Sequence, residues 1–75
     1  MTARQIVLRD SVAVITPRQL DVLRTASRGL GLAASAAVLG IRADTVKEHR
    51  ARIVEVMDAP NITAACVLAA KAGLL

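Results

Sequence analysis

Residues 32–53 read LAASAAVLGIRADTVKEHRARI, and this stretch decides the fold. Its first eight residues are uncharged and rich in alanine, which predicts a helix of about two turns from Leu32 to Leu39. Gly40 then ends this helix. A helix that carries Lys47, Arg50 and Arg52 is predicted over about 43–57, with Asp44 in its first turn, where the helix dipole favours a carboxylate. Two helices joined by a tight glycine turn are typical of a helix-turn-helix.

The residues before this stretch predict a first helix with strong start and stop signals. Thr16 is a favourable cap, Pro17 suits the first helical position, and Gln19 completes a capping box with Thr16. Gly29 lies where a left-handed residue would end the helix. We therefore expect helix 1 to begin at Thr16-Pro17 and to end before Gly29.

The residues after it predict a fourth helix. Asp58-Ala59-Pro60-Asn61 has the composition of a turn, and Thr63 is predicted to cap a helix over Ala64–Ala72. Gly73 is predicted to end that helix.

The N-terminal residues 1–15 have two interpretations. They hold two clusters of mainly β-branched residues, which would suit a pair of short strands turning at Asp10-Ser11. Two strands alone are marginal in water. The preferred interpretation is therefore an arm that packs on the domain or on a second subunit.

The composition limits the class of function. A chain of 75 residues with a formal charge of +4 holds one small domain and favours an anionic partner such as nucleic acid. One histidine, one cysteine and no carboxylate pair at a metal-binding spacing leave no basis for a catalytic or metal site, so we expect a non-enzymatic protein without cofactor or metal. The longest uncharged stretch, 29–41, is too short to span a membrane. The lone Cys66 indicates a reducing cytoplasm.

From Ile15 to Leu75 the chain resembles the LuxR/GerE type of helix-turn-helix domain, the DNA-binding module of quorum-sensing and response-regulator activators. The resemblance rests on five segments, TPRQLDVLR (16–24), GL (29–30), LGI (39–41), TVKEHRARI (45–53) and AAKAGLL (69–75). It implies an all-α, four-helix domain over residues 16–75, whose third helix enters the major groove and whose fourth forms a dimer contact. Residues 1–15 are then expected to stand as a short arm in place of the sensory or receiver domain that most relatives carry.

The resemblance also implies which residues read bases. Asp44, Lys47, Glu48 and Ala51 share one face of helix 3 by their spacing, and the last three match base-contacting positions of the family. Lys47 is expected to donate to guanine, Glu48 to accept from cytosine, and Ala51 to contact a thymine methyl. The opposite side is predicted to face the core and carries Val46, Ile53 and Met57.

The residues that flank this face are predicted to contact phosphates, which position a helix without reading sequence. They are Arg42, Thr45, Arg50 and Arg52. Arg42 lies where relatives usually have a Ser or Thr cap. The alternative for the whole run is a solvated helix face with pairs such as Glu48 with Arg52. His49 is predicted to lie near the edge of the core as a packed structural histidine.

Helix 4 is predicted to form the dimer interface through mostly small residues that allow close approach of two helices. These residues are Ala65, Cys66, Leu68, Ala69 and Ala72. The alternative is that they cover helix 1. Cys66 is expected to behave as a small buried hydrophobic residue rather than a redox sensor.

Helix 2 departs from the family pattern. It has Ala33, Ala34 and Ser35 where relatives usually carry a basic residue, an acidic residue and a core isoleucine, and Gly31 replaces the usual polar cap. Phosphate contact from helix 2 side chains is therefore reduced. Its apolar surface favours a second explanation, a docking face for another protein.

The sequence as a whole predicts a small bacterial or phage transcriptional regulator that binds double-stranded DNA as a homodimer, in the cytoplasm at the nucleoid. One alternative is a protein-interaction module with a helix-turn-helix fold that docks on a larger regulator or on RNA polymerase and binds DNA weakly or not at all. Non-specific nucleoid binding is less favoured, because Asp44 and Glu48 would repel phosphates.

Overall fold

The computed structural model describes residues 3–7 and 12–75, which form two short strands followed by four helices. The elements are β1 (Arg4–Val7), β2 (Val12–Ile15), α1 (Pro17–Ser27), α2 (Leu32–Leu39), α3 (Ala43–Val56) and α4 (Ile62–Lys71). The predicted four-helix domain is confirmed, and α2 has the predicted bounds. α1 and α3 each pack against the other three helices, and together they form the centre of the fold.

The two strands form an antiparallel pair in which Ile6 lies opposite Ala13. Ile6, Ala13 and Ile15 point into the core and are at most 5% exposed. The N-terminal segment thus forms the strand pair of the first interpretation, and it also packs on the domain as the preferred interpretation expected. One buried face gives this small sheet the support that two strands lack in water. The predicted turn at Asp10-Ser11 lies outside the described residues.

The start and stop signals of α1 and α2 are confirmed. The Thr16 Oγ1 atom accepts a hydrogen bond from the Gln19 backbone N–H at 3.1 Å, and Gln19 Oε1 accepts one from the Thr16 N–H at 2.9 Å. Gly29 follows α1 with a φ of 78°, and Gly40 follows α2 with a φ of 68°. Both values lie in the left-handed region, where a residue with a side chain would be strained.

The predicted cap of α4 is wrong. The helix begins at Ile62, and the Asn61 side chain caps it by accepting a hydrogen bond from the Ala64 N–H at 2.8 Å. Thr63 lies inside the first turn and is exposed. Asn61 and Thr63 are both good capping residues, and the turn that precedes the helix places Asn61 at the first position where capping geometry is met.

We expect Asn61→Ala to lower the free energy of unfolding by about 1 kcal/mol, because it removes the cap. Thr63→Ala is the matched control and is expected to change that free energy by less than about 0.5 kcal/mol. Urea denaturation of both variants at one protein concentration measures the difference. A larger loss for Thr63→Ala than for Asn61→Ala would contradict this capping assignment.

The core is built from aliphatic side chains, alanine and one methionine. Its buried members are Ile6, Ala13, Ile15, Leu20, Val22, Leu23, Ala36, Val46, Ile53, Met57, Ala65 and Ala69. With no aromatic residue in the sequence, the core is assembled from many small pieces. Within the described ranges, none of the helices is both long and apolar enough to cross a membrane.

Candidate nucleic-acid interface

The α2–α3 unit has the arrangement of a helix-turn-helix. The two helices pack against each other, and the turn between them is closed by a hydrogen bond from the Ile41 N–H to the Ala36 carbonyl oxygen at 3.1 Å. Val46, Ile53 and Met57 are each at most 1% exposed, which confirms the predicted core side of α3. The orientation of α3 about its own axis follows from this burial.

The predicted reading face of α3 is open to solvent. Asp44, Lys47, Glu48 and Ala51 are all exposed. None of the ion pairs formed within residues 3–7 and 12–75 uses Asp44, Lys47 or Glu48. The charges of this face are therefore available to an external partner.

Three of the four predicted phosphate-contacting residues lie at the edges of that face. Arg42 is exposed and precedes α3 without making a side-chain cap, and Thr45 is half-buried. Arg52 is exposed, and its Nη1 atom lies 3.1 Å from Glu55 Oε1. The predicted pair between Glu48 and Arg52 is not formed, because Arg52 turns toward Glu55 in the next turn of the helix.

Arg50, the fourth of these residues, points into the protein. Its Nη2 atom donates hydrogen bonds to the Leu30 carbonyl oxygen at 2.7 Å and to Ser35 Oγ at 3.2 Å. Ser35 is fully buried, and the Arg50 Nε atom is enclosed by protein. The sequence held a signal for this placement, because Arg50 falls four residues after Val46 and three before Ile53, on the core side of the helix.

His49 lies close to its predicted place, and the arginines of α1 form ion pairs on the surface. His49 is half-buried, in agreement with a position at the edge of the core. Asp21 of α1 forms surface ion pairs with two arginines of the same helix, at 3.9 Å from Arg18 and 3.6 Å from Arg24. Such exposed pairs contribute little to stability.

The residues predicted for the dimer interface fall on different sides of α4. Ala65 and Ala69 are fully buried in the core of the single chain, which leaves them inaccessible to a second subunit. Cys66 and Leu68 are half-buried, and Ala72 is exposed. Ala65 and Ala69 therefore pack inside their own domain, as the alternative interpretation of these residues expected.

A groove of about 350 Å³ lies between α1 and α4. Its lining residues are Ala26, Ser27, Thr63, Cys66, Val67, Ala70 and Leu75. Val67 is 49% exposed, which is high for a large apolar side chain. Sequence reasoning missed Ala70, although its spacing from Thr63, Cys66 and Val67 places all four on one face of the helix.

The chemistry of Cys66 fits a small hydrophobic residue. Burial raises the pKa of the Cys66 thiol, and the positive charge of Arg50 opposes part of that rise. The thiol also lies 3.6 Å from the Leu23 carbonyl oxygen, to which it can donate. A protonated thiol is a poor nucleophile, so this geometry does not favour redox chemistry.

Comparison with known proteins gives this arrangement a family. Residues 13–69 match the family model described as bacterial regulatory proteins, luxR family. The chain belongs to the luxR family. This match confirms, at the level of the family, the resemblance noted in the sequence. Helix-turn-helix domains of this type generally bind DNA in transcription regulation. The match begins at Ala13, within β2.

One solved structure similar to this luxR-family chain is the crystal structure of Escherichia coli SdiA in the space group P6522. The sequences are 32% identical, the TM-score is 0.76, and the likeness covers 80% of this chain and 25% of the SdiA chain. The chain therefore spans about a quarter of the length of SdiA. A comparison with curated protein sequences finds no match.

Proposed function

We propose that this luxR-family chain binds specific sequences in double-stranded DNA as a dimeric regulator of transcription, with α3 in the major groove. The observation that carries the proposal is the exposed face of α3, formed by Asp44, Lys47, Glu48 and Ala51 on a helix whose other side is buried. The major groove is about 12 Å wide and admits one α-helix. With 14 residues, α3 is long enough to lie across several base pairs.

The reading face combines groups of opposite charge, which favours base recognition over general attraction to phosphates. Lys47 would donate to the O6 or N7 atom of guanine, and Glu48 would accept from the N4 amino group of cytosine. Ala51 would pack against a thymine methyl group, with Asp44 at the edge of the same face. A carboxylate near the DNA backbone is repelled by phosphates, so Glu48 contributes only where a base donor meets it.

Phosphate contacts would come from the rim of this face. Arg42 and Arg52 are exposed and Thr45 is half-buried beside them, so all three can reach the strands that border the groove. The N-termini of α2 and α3 add backbone donors, because neither Gly31 nor Arg42 caps its helix with a side chain. These contacts would position α3 without reading sequence.

The dimer contact is proposed to use the groove between α1 and α4. Cys66, Val67, Ala70 and Leu75 give it an apolar lining that is open at the surface. Small side chains such as Ala70 allow two copies of α4 to approach closely about a two-fold axis. A dimer would set two copies of α3 on the same DNA, and the site would be palindromic. The expected location is the bacterial cytoplasm, at the nucleoid.

Selection from a pool of random duplex DNA at near-physiological salt tests the proposal. We expect a palindromic motif to be enriched over several rounds, since a two-fold dimer presents two identical reading faces. Enrichment of a single half-site would retain sequence-specific binding and contradict the dimer. Folded protein that enriches no sequence would contradict sequence-specific DNA binding.

A second candidate function is favoured by the outer face of the hairpin. Val7 is 80% exposed, Val12 is 56% exposed and Val14 is 51% exposed, so three valines lie side by side in solvent. Together with the uncharged helix α2, this surface would suit docking on a larger regulator or on RNA polymerase. This candidate predicts no enrichment in the DNA selection and loss of function in the cell when Val12 and Val14 become serine.

A further inference from the structure

We propose that Arg50 is a positioning residue for DNA recognition. From inside the fold it holds α3 at a fixed angle to α2, and this angle sets where the reading face lies in the groove. The inference rests on the proposed DNA binding and assigns to Arg50 a role different from phosphate contact. It is carried by the hydrogen bonds of Arg50, by the short length of α2 and by the enclosure of the Arg50 Nε atom.

The hydrogen bonds of Arg50 join three parts of the helix-turn-helix region. From α3, the Nη2 atom reaches the Leu30 carbonyl oxygen in the turn before α2, at 2.7 Å, and Ser35 Oγ within α2, at 3.2 Å. The Leu30 N–H is itself bonded to the Thr25 carbonyl oxygen of α1 at 3.2 Å. A single side chain thus connects α3 to α2 and, through Leu30, to α1.

The helix α2 is short and depends on contacts with α1 and α3 for its place. It has eight residues, of which only Ser35 and Ala36 are buried, and its N-terminal residue Gly31 provides no side-chain cap. An isolated helix of this length is not stable in water, so its place depends on tertiary contacts. Ala36 and the two leucines of α2 pack against the core, so apolar contacts help to hold this helix. The hydrogen bond from Arg50 to Ser35 adds a directional contact that fixes the angle between α2 and α3.

Arg50 is half-buried, and part of its guanidinium group lies inside the protein. Nη2 makes both hydrogen bonds, and Nε is enclosed by protein. The Arg50 charge also acts on the Cys66 thiol, where it lowers the pKa against the effect of burial. Arg52, two residues on, is exposed and pairs only with Glu55 among the described residues. Arg50 and Arg52 are therefore a matched pair of arginines with different environments.

The test compares Arg50→Met, Arg50→Lys and Arg52→Met with the unaltered protein. For each protein, the melting temperature is measured first. Affinity for the selected DNA and for a scrambled duplex is then measured well below the melting temperature, over a series of salt concentrations. Methionine keeps the length of the stem and removes the charge, whereas lysine keeps the charge without the planar group that serves two acceptors.

If Arg50 positions α3, Arg50→Met lowers the melting temperature by roughly 5–15 °C, because a charged hydrogen bond in a small domain is lost. Affinity for the selected DNA falls by about tenfold to a hundredfold, while affinity for the scrambled duplex changes by less than about threefold. Arg50→Lys also lowers the affinity for the selected DNA relative to the scrambled duplex, although its charge is retained. Arg52→Met keeps its melting temperature and makes the slope of log affinity against log salt less negative by about 0.9.

Two results would overturn the inference. If Arg50→Met keeps its melting temperature and weakens both duplexes equally with a slope change of about 0.9, Arg50 is a phosphate contact. If the folded variant loses stability but keeps its preference for the selected DNA, Arg50 is only structural. Failure of the unaltered protein to bind any DNA would instead remove the proposed function, and the melting temperatures of Arg50→Met, Ser35→Ala and the double variant would still show whether the hydrogen bonds couple α2 to α3.

Discussion

Replacing Ile6 with alanine is expected to lower the free energy of unfolding by about 2–5 kcal/mol. Ile6 is only 2% exposed, and its side chain belongs to the same core as α1 and α3. The change removes three methyl or methylene groups. It leaves a cavity that the surrounding core side chains fill poorly. Because a domain of 75 residues has little stability to lose, the variant would lie close to its unfolding midpoint at room temperature.

Val7→Ala provides the control for this experiment. Val7 neighbours Ile6 in β1 but is 80% exposed, so we expect a change of less than about 0.5 kcal/mol in the free energy of unfolding. Urea denaturation followed by circular dichroism measures both variants. Equal small losses would show that the hairpin is a dispensable arm. Equal large losses would show that the sheet depends on strand-forming side chains rather than on its buried face.

Reversing the charge of Lys47 is expected to reduce affinity for the selected DNA more than a hundredfold. Lys47→Glu removes a donor to guanine, worth about 1–3 kcal/mol of discrimination. It also places a third carboxylate beside Asp44 and Glu48 on an exposed face, which phosphates would repel. The melting temperature is expected to stay within a few degrees, because Lys47 makes no ion pair within the described ranges.

Lys71→Glu makes the same change in net charge at the end of α4. Lys71 is exposed and lies in the last turn of that helix, away from the reading face. We expect its effect on affinity to stay below about fivefold, since only screened, long-range attraction to DNA is altered. Fluorescence anisotropy with a labelled duplex compares the two variants. If both lose affinity to the same extent, α3 does not read the DNA and the protein binds through its overall charge.

The helices could be predicted from the sequence because their signals are local. Thr16 and Gln19 lie three residues apart and close a capping box on their own, and Gly29 and Gly40 end helices because their backbone adopts positive φ values. The buried side of α3 followed from helical spacing. In each case the residues that decide the structure are within one or two turns of each other.

The packing of the strand pair and the place of Arg50 could not be predicted in this way, because they depend on contacts between distant parts of the chain. Two short strands are stabilised by the packing of their inner face on other elements. No pattern within residues 1–15 predicts that Ile6 packs on a core formed by the helices. Arg50 is predicted to contact phosphate because it flanks the reading face, yet its hydrogen-bond partners Leu30 and Ser35 lie 20 and 15 residues away along the chain. The choice of Asn61 over Thr63 as a cap likewise depended on the path of the preceding turn.

The distribution of helix caps divides the molecule into a rigid and an adaptable half. α1 and α4 begin with a side-chain cap, from Thr16 and Asn61, whereas α2 and α3 begin at Gly31 and Arg42 without one. Uncapped helix ends fray more readily, so local opening should be concentrated in the first turns of α2 and α3. Under the proposed DNA binding, those turns would adjust to small differences in backbone spacing among binding sites, while α1 and α4 would keep their positions.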